Sequence, residues 1–223
     1  GGTMSGSITR ERQRACRSEQ ILATALDLFC KRTIEDVSIE EVAKHAGTGP
    51  TTVYRYFSTK AELAVSSAVF YWKTISGKYV KKLDSPTYRE ADGRAQMEQI
   101  MDIFQELFET EFSFLKFLYE FDSFIMKYHI PWDRLEEYEA QILDLKQYVT
   151  RALEKGLADG SLCFSWSVDE TYFTLTHIML SLMQKLAAGG RLLPSDERVS
   201  LFRQVKIAGE LLILGLSNTQ RQS

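Results

Sequence analysis

Between Thr51 and Lys60 the chain sets Thr51, Thr52, Tyr54, Arg55, Tyr56 and Lys60 in one short stretch. Their hydroxyl, guanidinium and ammonium groups are donors suited to phosphate oxygens and base edges. On a helical wheel from Pro50 to Phe57, Val53 and Phe57 share one face, while Thr51, Thr52, Arg55 and Tyr56 point elsewhere. Pro50 suits a first helical position, where a missing N–H costs nothing. The free N–H groups after Gly49 would add an anion-binding end. A merely polar surface helix reads the same way, so the pattern alone leaves both readings open.

Other chemistry finds little support. The three cysteines, Cys16, Cys30 and Cys163, form no C-x-x-C pair and no metal-ligand spacing, which suits a reducing cytosol. The three histidines (His45, His129 and His177) stand apart, and no G-x-S-x-G, P-loop, H-E-x-x-H or Rossmann glycine pattern occurs. No catalytic residue, metal ligand or cofactor is therefore assigned, and an all-helical enzyme is the least favoured class.

The elements that must position the donors are legible from their ends. Ser38 with Glu41 makes a capping box, with Val37 and Val42 as its hydrophobic staple. Gly47 supplies the left-handed residue that ends this helix. Thr59 with Glu62 makes a second box and opens a longer helix. Upstream, a helix running to about Arg32 buries Ile21, Leu22, Ala25, Leu28 and Phe29; its start lies either at Thr9 or near Ser18. Downstream, three- and four-residue apolar steps predict helices over 60–83, 89–110, 111–129, 133–158, 168–188 and 195–217. No strand run is evident, so the fold class is all-α.

The spacing A-G-x-x-x-x-T-x-Y-x-x-F, with a lysine three residues on, resembles the signature of the TetR (tetracycline-repressor) family. Here it is carried by Ala46, Gly47, Thr52, Tyr54, Phe57 and Lys60, with Ile21–Phe29 and V-S-I-E-E-V-A agreeing upstream. The resemblance implies a helix-turn-helix DNA-binding domain over 18–65, after a basic tail at 1–17 whose Gly1-Gly2-Thr3 reads as a cloning remnant. It implies phosphate contacts at Thr52, Tyr54 and Lys60, and base reading at Pro50, Thr51 and Arg55. Tyr56 would touch backbone, Ser38 would cap and meet phosphate, and Ile39 and Glu40 open the preceding helix. Gly49 and Thr51 depart from the Ser and Gly that many members carry there.

The resemblance also implies an antiparallel helical domain over 66–223 for effector binding and dimerisation. One helix-turn-helix binds weakly, and two copies reading half-sites about 34–36 Å apart are the usual remedy. The last two helices offer Leu175, Met179 and Leu182, and Leu201, Val205, Ala208, Leu212 and Gly215, to a homodimer. The alternative is that these residues build the chain's own core. The helix over 111–129 is apolar around most of its circumference. Phe104, Phe108, Phe117 and Phe121 are candidate lining for a small, largely apolar or aromatic effector, although packing alone accounts for such a stripe. Asp122 stands in that apolar arc with His129 two turns along. It is expected either to pair with a Lys or Arg or to meet a cationic or hydroxylated ligand.

Composition agrees. Residues 1–65 hold nine Lys and Arg against eight Asp and Glu, and 66–223 hold 18 against 22, so the basic end is also the helix-turn-helix end. A sequence pI of about 5.7 disfavours an architectural or non-specific DNA binder. No apolar run reaches the ~20 residues of a membrane span, and the first twenty residues hold no apolar leader core. The expectation is a cytoplasmic, ligand-responsive repressor of an inverted-repeat operator on double-stranded DNA.

Overall fold

The computed structural model describes residues 3–217. All its regular elements are helical: α1 (Thr3–Lys31), α2 (Ile39–His45), α3 (Pro50–Tyr56), α4 (Lys60–Leu83), α5 (Pro86–Glu90), α6 (Gly93–Thr110), α7 (Phe112–Lys127), α8 (Trp132–Leu143), α9 (Lys146–Asp159), α10 (Val168–Gly189) and α11 (Leu201–Leu216), with a 3-10 turn at Pro194–Arg198. Residues 1, 2 and 218–223 of the expected tail and C-terminal domain lie outside the described residues.

Four boundaries differ from expectation. Helix α1 starts at Thr3, so residues 3–17 extend it rather than forming a loose tail. From Gly6 to Arg17 every residue is exposed, so propensity rather than packing holds this part. It contains no proline and is rich in Arg, Gln, Glu and Ala. The helix expected from 89 starts at Gly93, because Asp92 caps it through the Ala95 N–H at 2.8 Å. The helix expected over 133–158 breaks at Asp144–Leu145, where no glycine or proline marks the turn. The last helix starts at Leu201, capped by Ser200, after the 3-10 turn.

Contacts divide the chain into two units, with the dividing lines inside α4 after Thr74, inside α7 before Glu120 and inside α8 after Gln141. This partition differs from the single expected boundary at residue 65.

The first unit holds α1 to α3, α4 through Thr74, and residues 120–141. Ile21, Ala25, Phe29, Val37, Val42, Ala43, Val53 and Leu63 form its sealed core. The Ser38 box forms in full: the Glu41 N–H donates to Ser38 Oγ at 3.1 Å, and the Ser38 N–H to Glu41 Oε2 at 3.2 Å. Arg32 donates to both Glu41 oxygens and, with the Ser38 N–H, holds that carboxyl below its ordinary range. Gly47, at φ +66°, ends α2. The Thr48 N–H reaches the Ala43 carbonyl at 2.9 Å and the Gly47 N–H the Lys44 carbonyl at 3.2 Å, a Schellman closure. At Thr59 only half the expected box is seen. The Glu62 N–H donates to Thr59 Oγ1, while the Glu62 carboxylate pairs with Arg134 at 2.6 Å.

In the second unit α6 packs on α9 and α11, and α10 packs on the same two helices. The crossing of α6 and α9 is made by two glycines. A Cβ on Gly93 would sit 2.0 Å from the Gly156 nitrogen. The first amides of α6 are satisfied by the end of α9: the Gly93 N–H meets Asp159 Oδ2 at 2.9 Å and the Arg94 N–H meets Ser161 Oγ at 3.0 Å.

Candidate nucleic-acid interface

Helix α3 buries Val53 and closes on Phe57, which turns its other faces outward. Pro50, Thr51, Tyr54 and Arg55 are exposed, Gly49 with them, and Thr52 and Tyr56 are half-buried. Tyr54 leaves 47% of its surface open. Among the described residues Thr51, Thr52 and Tyr54 make no side-chain hydrogen bond, so their donors are unspent. The Tyr56 ring carries two guanidinium groups at 5.9 Å, Arg55 from its own helix and Arg14 from α1.

Two expected contact residues are placed otherwise. Ile39 is only 5% exposed, so its side chain belongs to the core rather than to the outer face. The Lys60 ammonium donates to the carbonyls of Glu35 at 3.0 Å and Val37 at 3.2 Å, which leaves one N–H of three for a phosphate. Ser38 is half-buried and its hydroxyl accepts from the α2 backbone.

A second cluster lies in the same unit. Trp72 Nε1 donates to Tyr138 Oη at 3.4 Å, and the rings of Phe121 and Tyr138 meet edge-on at 5.1 Å. Asp122 lies near enough to raise the Tyr138 pKa, although burial of the phenol is the larger cause. Asp122 is not sealed in the core as expected: its surface is open, yet surrounding protein strips enough water to push its pKa up to about 6. The expected Lys or Arg partner is not found among the described residues. Lys127, on the same helix, pairs with Glu35 at 2.7 Å and lowers that carboxyl's pKa.

His129 does not join Asp122. Helix α7 ends at Lys127 because Pro131 follows, and His129 takes φ +50° at the helix end. The Ile130 N–H then closes on the Ile125 carbonyl at 3.2 Å, so the two-turn alignment is lost and His129 is exposed. Phe104, Phe108 and Phe117 fall in the second unit. Phe108 is sealed, with Phe112 at 5.4 Å and Phe202 at 5.3 Å, and Phe117 is sealed beside Phe114 at 5.8 Å; Phe104 is half-buried. Packing accounts for Phe108 and Phe117.

Half of the apolar row expected at a dimer interface lies inside the chain's own core. Leu175, Met179, Leu201 and Val205 are buried; Leu182, Ala208 and Leu212 are half-buried, and Gly215 is exposed. The open apolar face of α10 and α11 is rotated from that row. It presents Ile178, Leu211 and Leu214, beside a groove of about 560 Å³ lined by Trp166, Thr174, Ile178, Leu211 and Gly215. Of the expected row, Leu175, Leu212 and Gly215 also line this groove.

Trp72 and Tyr138 were missed because no local signal joins residues so far apart in sequence. Arg14 was legible as part of the basic tail at 1–17, not as a neighbour of Tyr56. Among the described residues no group of His, Cys, Asp or Glu could hold a metal ion, and no helix is long and apolar enough to cross a membrane.

Residues 21–72 match the family profile described as bacterial regulatory proteins, tetR family. No curated protein matches the chain. Among solved structures, a TetR-family transcriptional regulator from Agrobacterium tumefaciens is 14% identical with a TM-score of 0.68, covering 92% of this chain and 99% of that one. A protein of Saccharomonospora viridis solved in complex with choline is 17% identical with a TM-score of 0.67, over 87% and 94% of the two chains. The regulator FadR from Bacillus subtilis, in complex with stearoyl-CoA, is 15% identical with a TM-score of 0.61, over 88% and 97%. At these identities the likeness is one of fold.

Proposed function

The chain belongs to the TetR family of bacterial regulatory proteins, and from that premise we propose that it is a cytoplasmic, homodimeric repressor that releases an inverted-repeat operator when a small effector binds. The observation that carries the DNA half is the outer face of α3, where Thr51, Tyr54 and Arg55 stand exposed at positions the fold does not need. Thr52, Tyr54 and the free N–H of Lys60 serve phosphates; Pro50, Thr51 and Arg55 serve base edges. Two copies meet through Ile178, Leu211 and Leu214, which sets the spacing of the two α3 helices.

The effector half rests on Asp122 near Tyr138, whose hydroxyl accepts from Trp72 and whose ring meets Phe121. An unpaired carboxylate close to an aromatic cluster suits a largely apolar or aromatic molecule with a cationic or hydroxylated end, where ring faces and charge act together. One structural neighbour holds choline, which is such a cation. Trp72 lies on α4, whose first turn is next to α3, so a ligand that prefers one setting of α4 shifts the DNA-binding equilibrium. It does so only by its difference in affinity between the two settings.

Replacing Arg55 or Tyr54 by Ala is expected to weaken operator binding by about tenfold to a hundredfold, at ~1–3 kcal/mol per lost contact. A cationic aromatic compound that raises the wild-type melting temperature should leave Asp122→Asn unshifted. Equal shifts in both proteins would remove Asp122 from the ligand site.

A further inference from the structure

The N-terminal half of α1 gathers three of its four arginines on one side. At about 100° per residue, Arg10, Arg14 and Arg17 fall within ~60° of one another, while Arg12 and Glu19 lie on the opposite side. The same stripe continues downstream as Ile21, Ala25 and Leu28, which are buried against the rest of the first unit. Past the end of that core, the side of α1 that faces α2 and α3 therefore changes from aliphatic to arginine. The contact of Arg14 with Tyr56, 5.9 Å from guanidinium carbon to ring centre, fixes where the stripe lies: at the C-terminal end of α3. All three arginines are exposed, and among the described residues none makes an ion pair or hydrogen bond.

We propose that Arg10, Arg14 and Arg17 form a second DNA-contacting surface, in which the extension of α1 meets phosphates flanking those that α3 meets. The inference rests on the DNA-binding reading and lengthens its footprint. Guanidinium groups are suited to phosphate oxygens, and a row about 10 Å long on one helix face presents all three in the same direction. Such contacts add affinity and salt dependence without reading sequence. Tyr56, flanked by Arg14 and Arg55, joins the two surfaces.

The test uses the full chain and a duplex that the wild-type protein retains from a random-sequence pool. Log K is measured against log salt for wild type, Arg14→Ala, the triple variant Arg10→Ala/Arg14→Ala/Arg17→Ala, and Arg12→Ala as a charge-matched control. The triple variant should lose slope by about 0.9 per phosphate contact removed, by the same fold on selected and random duplexes. Arg12→Ala should keep the wild-type slope, and all melting temperatures should stay within a degree or two of wild type. A wild-type slope in the triple variant overturns the proposal, as does an equal loss from Arg12→Ala. A lowered melting temperature in Arg14→Ala with an unchanged slope would make Arg14 a brace for Tyr56 and overturn its contact role. If the wild-type protein retains no duplex from the pool, the DNA-binding reading itself fails and takes this surface with it.

Discussion

The ammonium of Lys60 donates to the Val37 carbonyl at 3.2 Å, so a lysine at the first turn of α4 ties down the residue before the α2 cap. Its second bond, to the Glu35 carbonyl, closes the same loop. A residue at a phosphate-contacting position of the family pattern thus also holds the helix-turn-helix together. Lys60→Met should cost about 1 kcal/mol of stability, because two carbonyls lose a charged donor. Denaturant unfolding checks this: an unchanged midpoint would show that the loop does not need the ammonium.

Asp122 gives a pH dependence with a definite sign. Its folded-state pKa of about 6 lies above that of an unfolded aspartate, so the folded chain holds the proton longer. The ionised group therefore works against folding: the penalty is absent below the unfolded pKa of about 4 and complete above about pH 7. Asp122→Asn should melt with wild type at pH 4 and above it at pH 8. Identical melting at both pH values would contradict the raised pKa.

Gly93→Ala should damage the second unit. The new Cβ would fall 2.0 Å from the Gly156 nitrogen and 2.8 Å from the Ala152 carbonyl, both backbone atoms that cannot swing aside. Such overpacking costs about 3 kcal/mol. The change should appear as a lowered thermal midpoint; a wild-type midpoint would mean that α6 and α9 separate at little cost.

How much of this was legible in the sequence depended on the range of the interaction. The Ser38–Glu41 box, the Gly47 stop and the Pro50 start are encoded by residues within a few positions of each other, and each formed as read. The outward set of α3 followed from the same local geometry. Ile39 was misplaced because the family pattern fixes a position in the chain but not which way a first-turn side chain turns. The break at Asp144–Leu145 carries no turn residue, so periodicity ran through it. Leu175 and Met179 share an apolar face whose partner could not be identified from one chain's pattern: its own helices satisfied that face. The Trp72–Tyr138 bond joins distant residues that only folding brings together.

The rotated apolar face of α10 and α11 makes its own prediction. Ile178→Glu or Leu211→Glu should convert a dimer to a monomer in sedimentation equilibrium and weaken operator binding, since each α3 then binds alone. A dimer that survives both changes would place the interface elsewhere.

The most direct measurement is a nuclease footprint of the DNA upstream of the chain's own gene, with wild type and with Tyr54→Ala/Arg55→Ala. Recognition through α3 predicts two protected half-sites about one helical turn apart, lost in the variant while its melting temperature stays at the wild-type value. No protection by wild type at physiological salt, or the same protection by the variant, would contradict recognition through α3.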